Sequence, residues 1–269
     1  MNNPLLAKLK LPGRIFQLPS KGEFYKDSKI PVLSEKAKNG EIEVMPLSGL
    51  SEIKLRSPDL LFSGRALREI CEECIPDIIN PELLISQDVD AVFCFLRIVT
   101  YGAEMTISSI HNCEKSEYHD YTVNIEQLVM NPNNKCLDFI DSIYKLKLSN
   151  DQVIKLRPVR FQDVIDMTHI AIDINASIAA KGMADDRLVQ DASIRDLMSI
   201  VSEVDGITDE SLIKQWVKLL PRKYIDEILE YNKSINQWGF NLNVDLTCKD
   251  CGELMKHNLE LDPVNFFSG

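Results

Sequence analysis

Cys248-Lys249-Asp250-Cys251 sets two thiols two residues apart, with Gly252 directly after them. That gap lets both thiolates reach one ion from a single turn, which is the chemistry of a tetrahedral metal site. Cys113, far upstream in Asn112-Cys113-Glu114-Lys115-Ser116, is the third candidate ligand. Its expected partner position holds Ser116, and a serine hydroxyl is a poor zinc ligand. The fourth position then falls to His119, with His111 and His257 as alternatives, so the assigned set is Cys113, His119, Cys248 and Cys251 around a structural zinc. The competing reading is a ribbon that keeps its shape without metal. A catalytic zinc keeps an open position and usually a nearby general base, and nothing in the pattern requires either.

The elements that must position these ligands repeat. Each knuckle follows a glycine (Gly102, Gly239) and a short alternating run, Met105-Thr106-Ile107 in one half and Phe240-Asn241-Leu242-Asn243-Val244 in the other. Each is followed by a second extended run, Tyr121-Thr122-Val123-Asn124-Ile125 or Asn258-Leu259-Glu260-Leu261. Strand, knuckle, strand thus occurs twice, and two such halves face each other across one ion. Residues near 113 and near 250 are therefore expected to touch, which folds the end of the chain back onto its middle.

Four segments surround this pattern. Residues 1–56, with Pro4, Pro12, Pro19 and Pro31, read as an extended, β-rich N-terminal arm in which Ile42-Glu43-Val44-Met45 alternates as a strand. Residues 57–136 hold a helical pair and the first ribbon half. Ser57-Pro58-Asp59 starts a helix, Ala66 to Ile75 carries Leu67, Ile70, Cys71 and Cys74 at helical spacing, and a second helix begins at Ser86-Gln87-Asp88 and ends at Gly102. Residues 137–238 read as a mainly helical insertion. A short helix over 137–147 competes there with a hairpin turning at Asn150-Asp151, and helices follow over 161–180, 186–203, 211–220 and 222–238. Residues 239–269 form the second ribbon half and a tail. The expected fold is α+β, a zinc-ribbon-like β module built from two distant halves around a helical insertion.

Composition narrows the function. Thirty Lys and Arg against forty-one Asp and Glu give a net charge of −11. Such a balance argues against a broad nucleic-acid or anionic-membrane surface, since phosphate binding needs clustered cations. Lys249 and Lys256 near the second knuckle are offset by Glu114, Asp250 and Glu253, so a zinc-ribbon nucleic-acid module is the alternative reading rather than the leading one. Seven cysteines, an odd number, do not form a secreted disulfide framework and fit a reducing cytoplasm. No signal peptide or membrane span is expected; the most apolar run, 91–99, is too short and contains Arg97. Cys71-Glu72-Glu73-Cys74 lies near a helix C-terminus, where nothing lowers a thiol pKa, and Cys94 and Cys136 read as small buried apolar side chains. His169 lies in an apolar helix and reads as a core or interface residue. Val204-Asp205-Gly206 reads as a turn before a capped helix rather than a calcium loop. No Gly-rich phosphate loop, nucleophile elbow or zinc-protease helix is present, so no catalytic residue is assigned.

The ends invite an interaction role. Phe266 and Phe267 either pack on the chain's own core or dock into a neighbour, and an extended arm carrying Phe24 and Tyr25 could add to a neighbour's sheet edge. These four are the candidate partner-binding residues.

Taken in order, the motifs resemble the baseplate hub and hub-assembly proteins of T-even-type contractile phage tails. The match rests on Leu18-Pro19-Ser20-Lys21-Gly22-Glu23-Phe24-Tyr25 and Leu96-Arg97-Ile98-Val99-Thr100-Tyr101-Gly102. It continues through Leu156-Arg157-Pro158, Val204-Asp205-Gly206 with the Trp216 helix, Cys248-Lys249-Asp250-Cys251-Gly252, and Pro263-Val264-Asn265-Phe266-Phe267. Ser116 departs from the two cysteine pairs that such proteins carry. The resemblance implies a non-enzymatic structural or assembly protein of the virion, present in the host cytoplasm during assembly. Its partners would be other hub or wedge proteins and further copies of itself.

Overall fold

Proline at 12, 19 and 31 keeps the start of the chain out of helix, and the segment pairs with itself instead. The computed structural model describes residues 12–130, 132–133, 137–138, 140–259, 261 and 266–267, with the side chains of Pro58 and Leu61 excepted. The expectations for Pro4, Cys136 and Pro263-Val264-Asn265 lie outside the described residues. Strand β1 (Arg14–Gln17) runs antiparallel to β2 (Glu41–Val44), Arg14 opposite Val44. Residues 12–56 are not an arm standing off the body: Leu18, Val32, Leu33, Ala37, Ile42 and Val44 are all buried in the main core. Their spacing follows turns, so no regular period announces it.

Helices complete that core. Ser48 caps α1 (Gly49–Leu55) by accepting from Ser51 N–H. Next come α2 (Pro58–Phe62), α3 (Arg65–Cys74) and α4 (Ser86–Tyr101). Between α2 and α3 the backbone at Gly64 has φ +71°, and a Cβ there would lie 2.2 Å from Ile165 Cδ1. Only glycine fits both demands. Phe266 and Phe267 close the core from the far end of the chain, edge-on to one another at 5.4 Å, with Phe267 6.1 Å from Phe93. The Phe267 carbonyl accepts from Arg56 Nη2 at 2.7 Å and from Tyr101 O–H at 3.1 Å.

The insertion builds a second core. Helix α6 (Ile140–Ile143) stops just before β5 (Lys145–Lys147), so helix and hairpin share the contested stretch in sequence. Strands β5, β6 (Val153–Leu156) and β7 (Val201–Val204) form one antiparallel sheet in that order. Helix α7 (Phe161–Lys181) pairs with α8 (Asp186–Ile200), and α8, α9 (Glu210–Leu219) and α10 (Arg222–Ile235) pack against the sheet. The helical pattern expected over 186–203 ends at Ile200 because Val201 to Val204 pair with the edge of β6. Asp205 (φ +49°) turns the chain and accepts from Val153 N–H; Asp209 then caps α9 through Ser211 and Leu212 N–H. Arg157 grips Asp163 with two bonds of 2.7 and 3.0 Å and fixes the start of α7.

Phe24 and Tyr25 join the two cores. Phe24 stacks on Trp238 at 5.4 Å and meets Tyr144 edge-on at 5.3 Å, inside the second core. Tyr25 O–H donates to Asp88 of α4 at 2.6 Å, inside the first. The four aromatic residues expected to bind partners thus all have intramolecular roles, and Phe266 and Phe267 are buried; apolar rings of this size find more contact inside than at a surface. Among the described residues, no helix is long and apolar enough to cross a membrane.

Candidate metal centre

Two hairpins make the site. Strands β3 (Glu104–Ile110) and β4 (Tyr118–Asn124) pair in antiparallel register from Glu104 opposite Asn124 to Ile110 opposite Tyr118, and α5 (Ile125–Val129) follows. Strands β8 (Asn243–Thr247) and β9 (Leu254–Asn258) pair from Asn243 opposite Asn258 to Thr247 opposite Leu254. Alternation puts Ile107, Tyr121, Val123, Val244 and Leu246 on facing sides, and with Leu259 they form a small core of their own. That layer holds the two knuckles side by side.

At the tip, His111, Cys113, Cys248 and Cys251 bring one imidazole nitrogen and three sulfurs within 4.8 Å of one another. A tetrahedral zinc with thiolates at about 2.3 Å separates its ligand atoms by roughly 3.5–3.8 Å, so donor set and spacing both fit. His111 Nδ1 is 3.2 Å from Cys251 Sγ. Cys248 is buried and Cys251 exposed. The Cys251 and Asp250 backbone N–H groups donate to the Cys248 sulfur and pull its thiol down to about 7. Against the Glu253 N–H, which lowers it, desolvation and the Cys248 and Cys113 sulfurs push the Cys251 thiol up. The turn itself is closed by Cys248 N–H to Glu253 O (2.9 Å) and Gly252 N–H to Cys248 O (3.0 Å), with Gly252 at φ +77°.

The other expected ligands lie close by in different roles. His119 points to Asp250, Nε2 to Oδ2 at 2.8 Å, and with Glu117 makes a neighbouring group of possible ligands. His257 Nδ1 meets Ser109 Oγ at 3.0 Å. Both contacts tie one hairpin to the other. In the first hairpin, Ser116 turns its hydroxyl onto the Cys113 carbonyl at φ +47°, stabilising the loop. His111 therefore stands with the three cysteines where the assigned set has His119. His111-Asn112-Cys113 carries the signal, since the turn after β3 brings residues 111 and 113 to one tip.

The lysine of the second knuckle is used internally. Lys249 Nζ donates to the Asp120 carbonyl at 2.6 Å and lies 5.2 Å over the Tyr121 ring. Cys71, Cys74 and Cys94 are buried in the main core, and burial pushes Cys74 and Cys94 up to about 12 and Cys71 higher still. His169 lies exposed on α7 rather than in a core.

A family model described as T4 bacteriophage base plate protein matches residues 51–268. The chain belongs to that family, and is a phage baseplate protein. No curated protein and no solved structure matches it.

Proposed function

We propose that the chain is a non-enzymatic structural or assembly component of the hub region of a contractile-tail baseplate, working through protein–protein interfaces. The family match over residues 51–268 carries this reading. The partners are other hub or wedge proteins, with self-association possible, and the protein resides in the virion after assembly in the host cytoplasm. A zinc ion held by His111, Cys113, Cys248 and Cys251 has a structural role. Four protein ligands leave no open coordination position, and the ion would clamp two hairpins separated by well over a hundred residues.

Mass spectrometry of purified virions and pull-down with the hub proteins test the proposal. Co-purification with at least one tail component supports it, and recovery in mature particles makes the chain a permanent part rather than a departing factor. Failure to associate with any tail component overturns it. Metal analysis should find one zinc per chain, lost in Cys251→Ser.

A further inference from the structure

We infer that the α7–α8 hairpin is the docking site for a basic amphipathic helix of another baseplate protein. The inference rests on the reading that this chain works through protein partners. Every residue from Asp166 to Asp196 is at least partly exposed. Yet residues 164–180 contain only two carboxylates (Asp166, Asp173) and one imidazole (His169) as titratable groups. A helix with so few charges and so many isoleucines ordinarily has them covered. Here Ile172, Ile178, Met183 and Val189 stand 43–63% exposed. Along this stretch the two helices pack mainly on each other, α8 meeting α9 and the second core at its far end, and the apolar side chains left in solvent call for a further element to cover them.

The charge says what that element is. Residues 161–196 carry seven aspartates against Lys181, Arg187 and Arg195, a balance of −4. Among the described residues Asp173, Asp186 and Asp191 make no ion pair, while Arg195 is neutralised by Asp166 and Lys181 reaches Asp185 at 3.4 Å. A second copy would bring the same excess of negative charge, on a chain already at −11, and homotypic packing is opposed. A helix with Lys and Arg flanking an apolar stripe meets both requirements. On the same hairpin a groove of about 650 Å³ opens between α7, α8 and α9, where Ile170, Ile194 and Met198 add apolar contact and Asp166, Asp191 and Glu210 outnumber Arg195 and Lys214.

The test places a photo-reactive benzoylphenylalanine at Ile172 or Ile178 of the full chain during phage assembly, with Ile15, exposed on β1, as control. Mass spectrometry then maps the cross-linked peptide. The expected product is one helical segment of a different baseplate protein with net positive charge. Asp173→Lys with Asp191→Lys, both exposed, should lower that yield at least tenfold, and Ile172→Asp with Ile178→Asp should do the same at unchanged circular dichroism. If the apolar pair fails to fold, the charge reversal alone decides. Cross-links to a second copy's hairpin, to an acidic segment, or no yield above the Ile15 control overturn the inference. If the chain still enters baseplate assemblies in those cases, its structural role stands and only this site falls; if it enters none, both fall.

Discussion

Asp88 shows how much one side chain can hold. It is fully buried at the first turn of α4 and accepts from Ser20 N–H at 3.0 Å, from Ser20 O–H at 2.5 Å and from Tyr25 O–H at 2.6 Å. Tyr25 in turn accepts from Ile85 N–H at 3.1 Å. The helix-start reading of Ser86-Gln87-Asp88 was right about position and silent about this network, because a capping carboxylate and a buried one look alike in sequence. Asp88→Ala would leave three donors without an acceptor and should cost about 2–4 kcal/mol in urea unfolding at pH 5. The pH dependence has a definite sign. Burial raises the Asp88 carboxyl from 3.8 to about 6, against the hydrogen bonds that lower it. Between those values the folded chain binds more protons than the unfolded one. Its contribution is therefore fully present below about pH 4 and is lost as pH rises through 6, by roughly 3 kcal/mol. Asp90 is pushed the same way by burial, so the quantity to measure is the stability difference between the parent chain and Asp88→Asn. That difference should shrink from pH 4 to pH 7; a flat difference would remove Asp88 from the account.

Among the elements, the paired hairpins carry the clearest consequence. Their shared core holds six buried residues among those described, and Ser109–His257, His119–Asp250 and Lys249–Asp120 are among the polar ties across it. A bound ion would therefore supply much of their cohesion. With free zinc a hundredfold above its Kd, chelation should remove about 3 kcal/mol. Amide exchange should rise over 104–124 and 243–258 while 145–156 and 201–204 stay protected. Uniform exchange changes, or none, would argue against a clamp at this place. The two knuckles were legible because a two-residue cysteine gap and alternating flanks are local signals. The identity of the imidazole was not: residues 111, 119 and 257 all lie near a tip or on a facing strand, and only the pairing of Ser109 with His119 fixes which way each ring is carried. Strand β7 was hidden for the related reason that Val201 to Val204 continue a helical pattern until a neighbouring strand claims them. Helix α1 was hidden inside a segment read as extended, although Ser48 before Gly49 was a cap in plain view.

Two helix-rich cores and the small core of the hairpins make up the described residues, and the links between the larger two decide whether they behave as one body. Arg157 and Asp163 hold the base of α7, and Gly64 lets Ile165 pack close to the first core. The backbone of Leu84 to Ser86 bonds to that of Val159 to Phe161, and Phe24 adds a side-chain join, since its neighbour Tyr25 belongs to the first core while its ring lies between Trp238 and Tyr144. Trp238 Nε1 donates to Tyr144 O–H at 3.0 Å, so the ring closes over a fixed polar pair. Phe24→Ala should cost about 2–3 kcal/mol, less than a fully buried phenylalanine because the site is only half-buried. Phe267→Ala, wholly inside the first core, should cost about 3–5 kcal/mol. The two differ in kind as well as size. Loss of Phe267 weakens one core, so every probe should still report a single transition at lower urea. Loss of Phe24 weakens coupling between cores, so fluorescence of Trp216 in the second core and of Trp238 beside the Phe24 site should separate from a first-core probe such as thiol exposure of Cys71. Coincident transitions in Phe24→Ala, at any stability, would mean that the backbone join between residues 84–86 and 159–161 couples the cores without this ring.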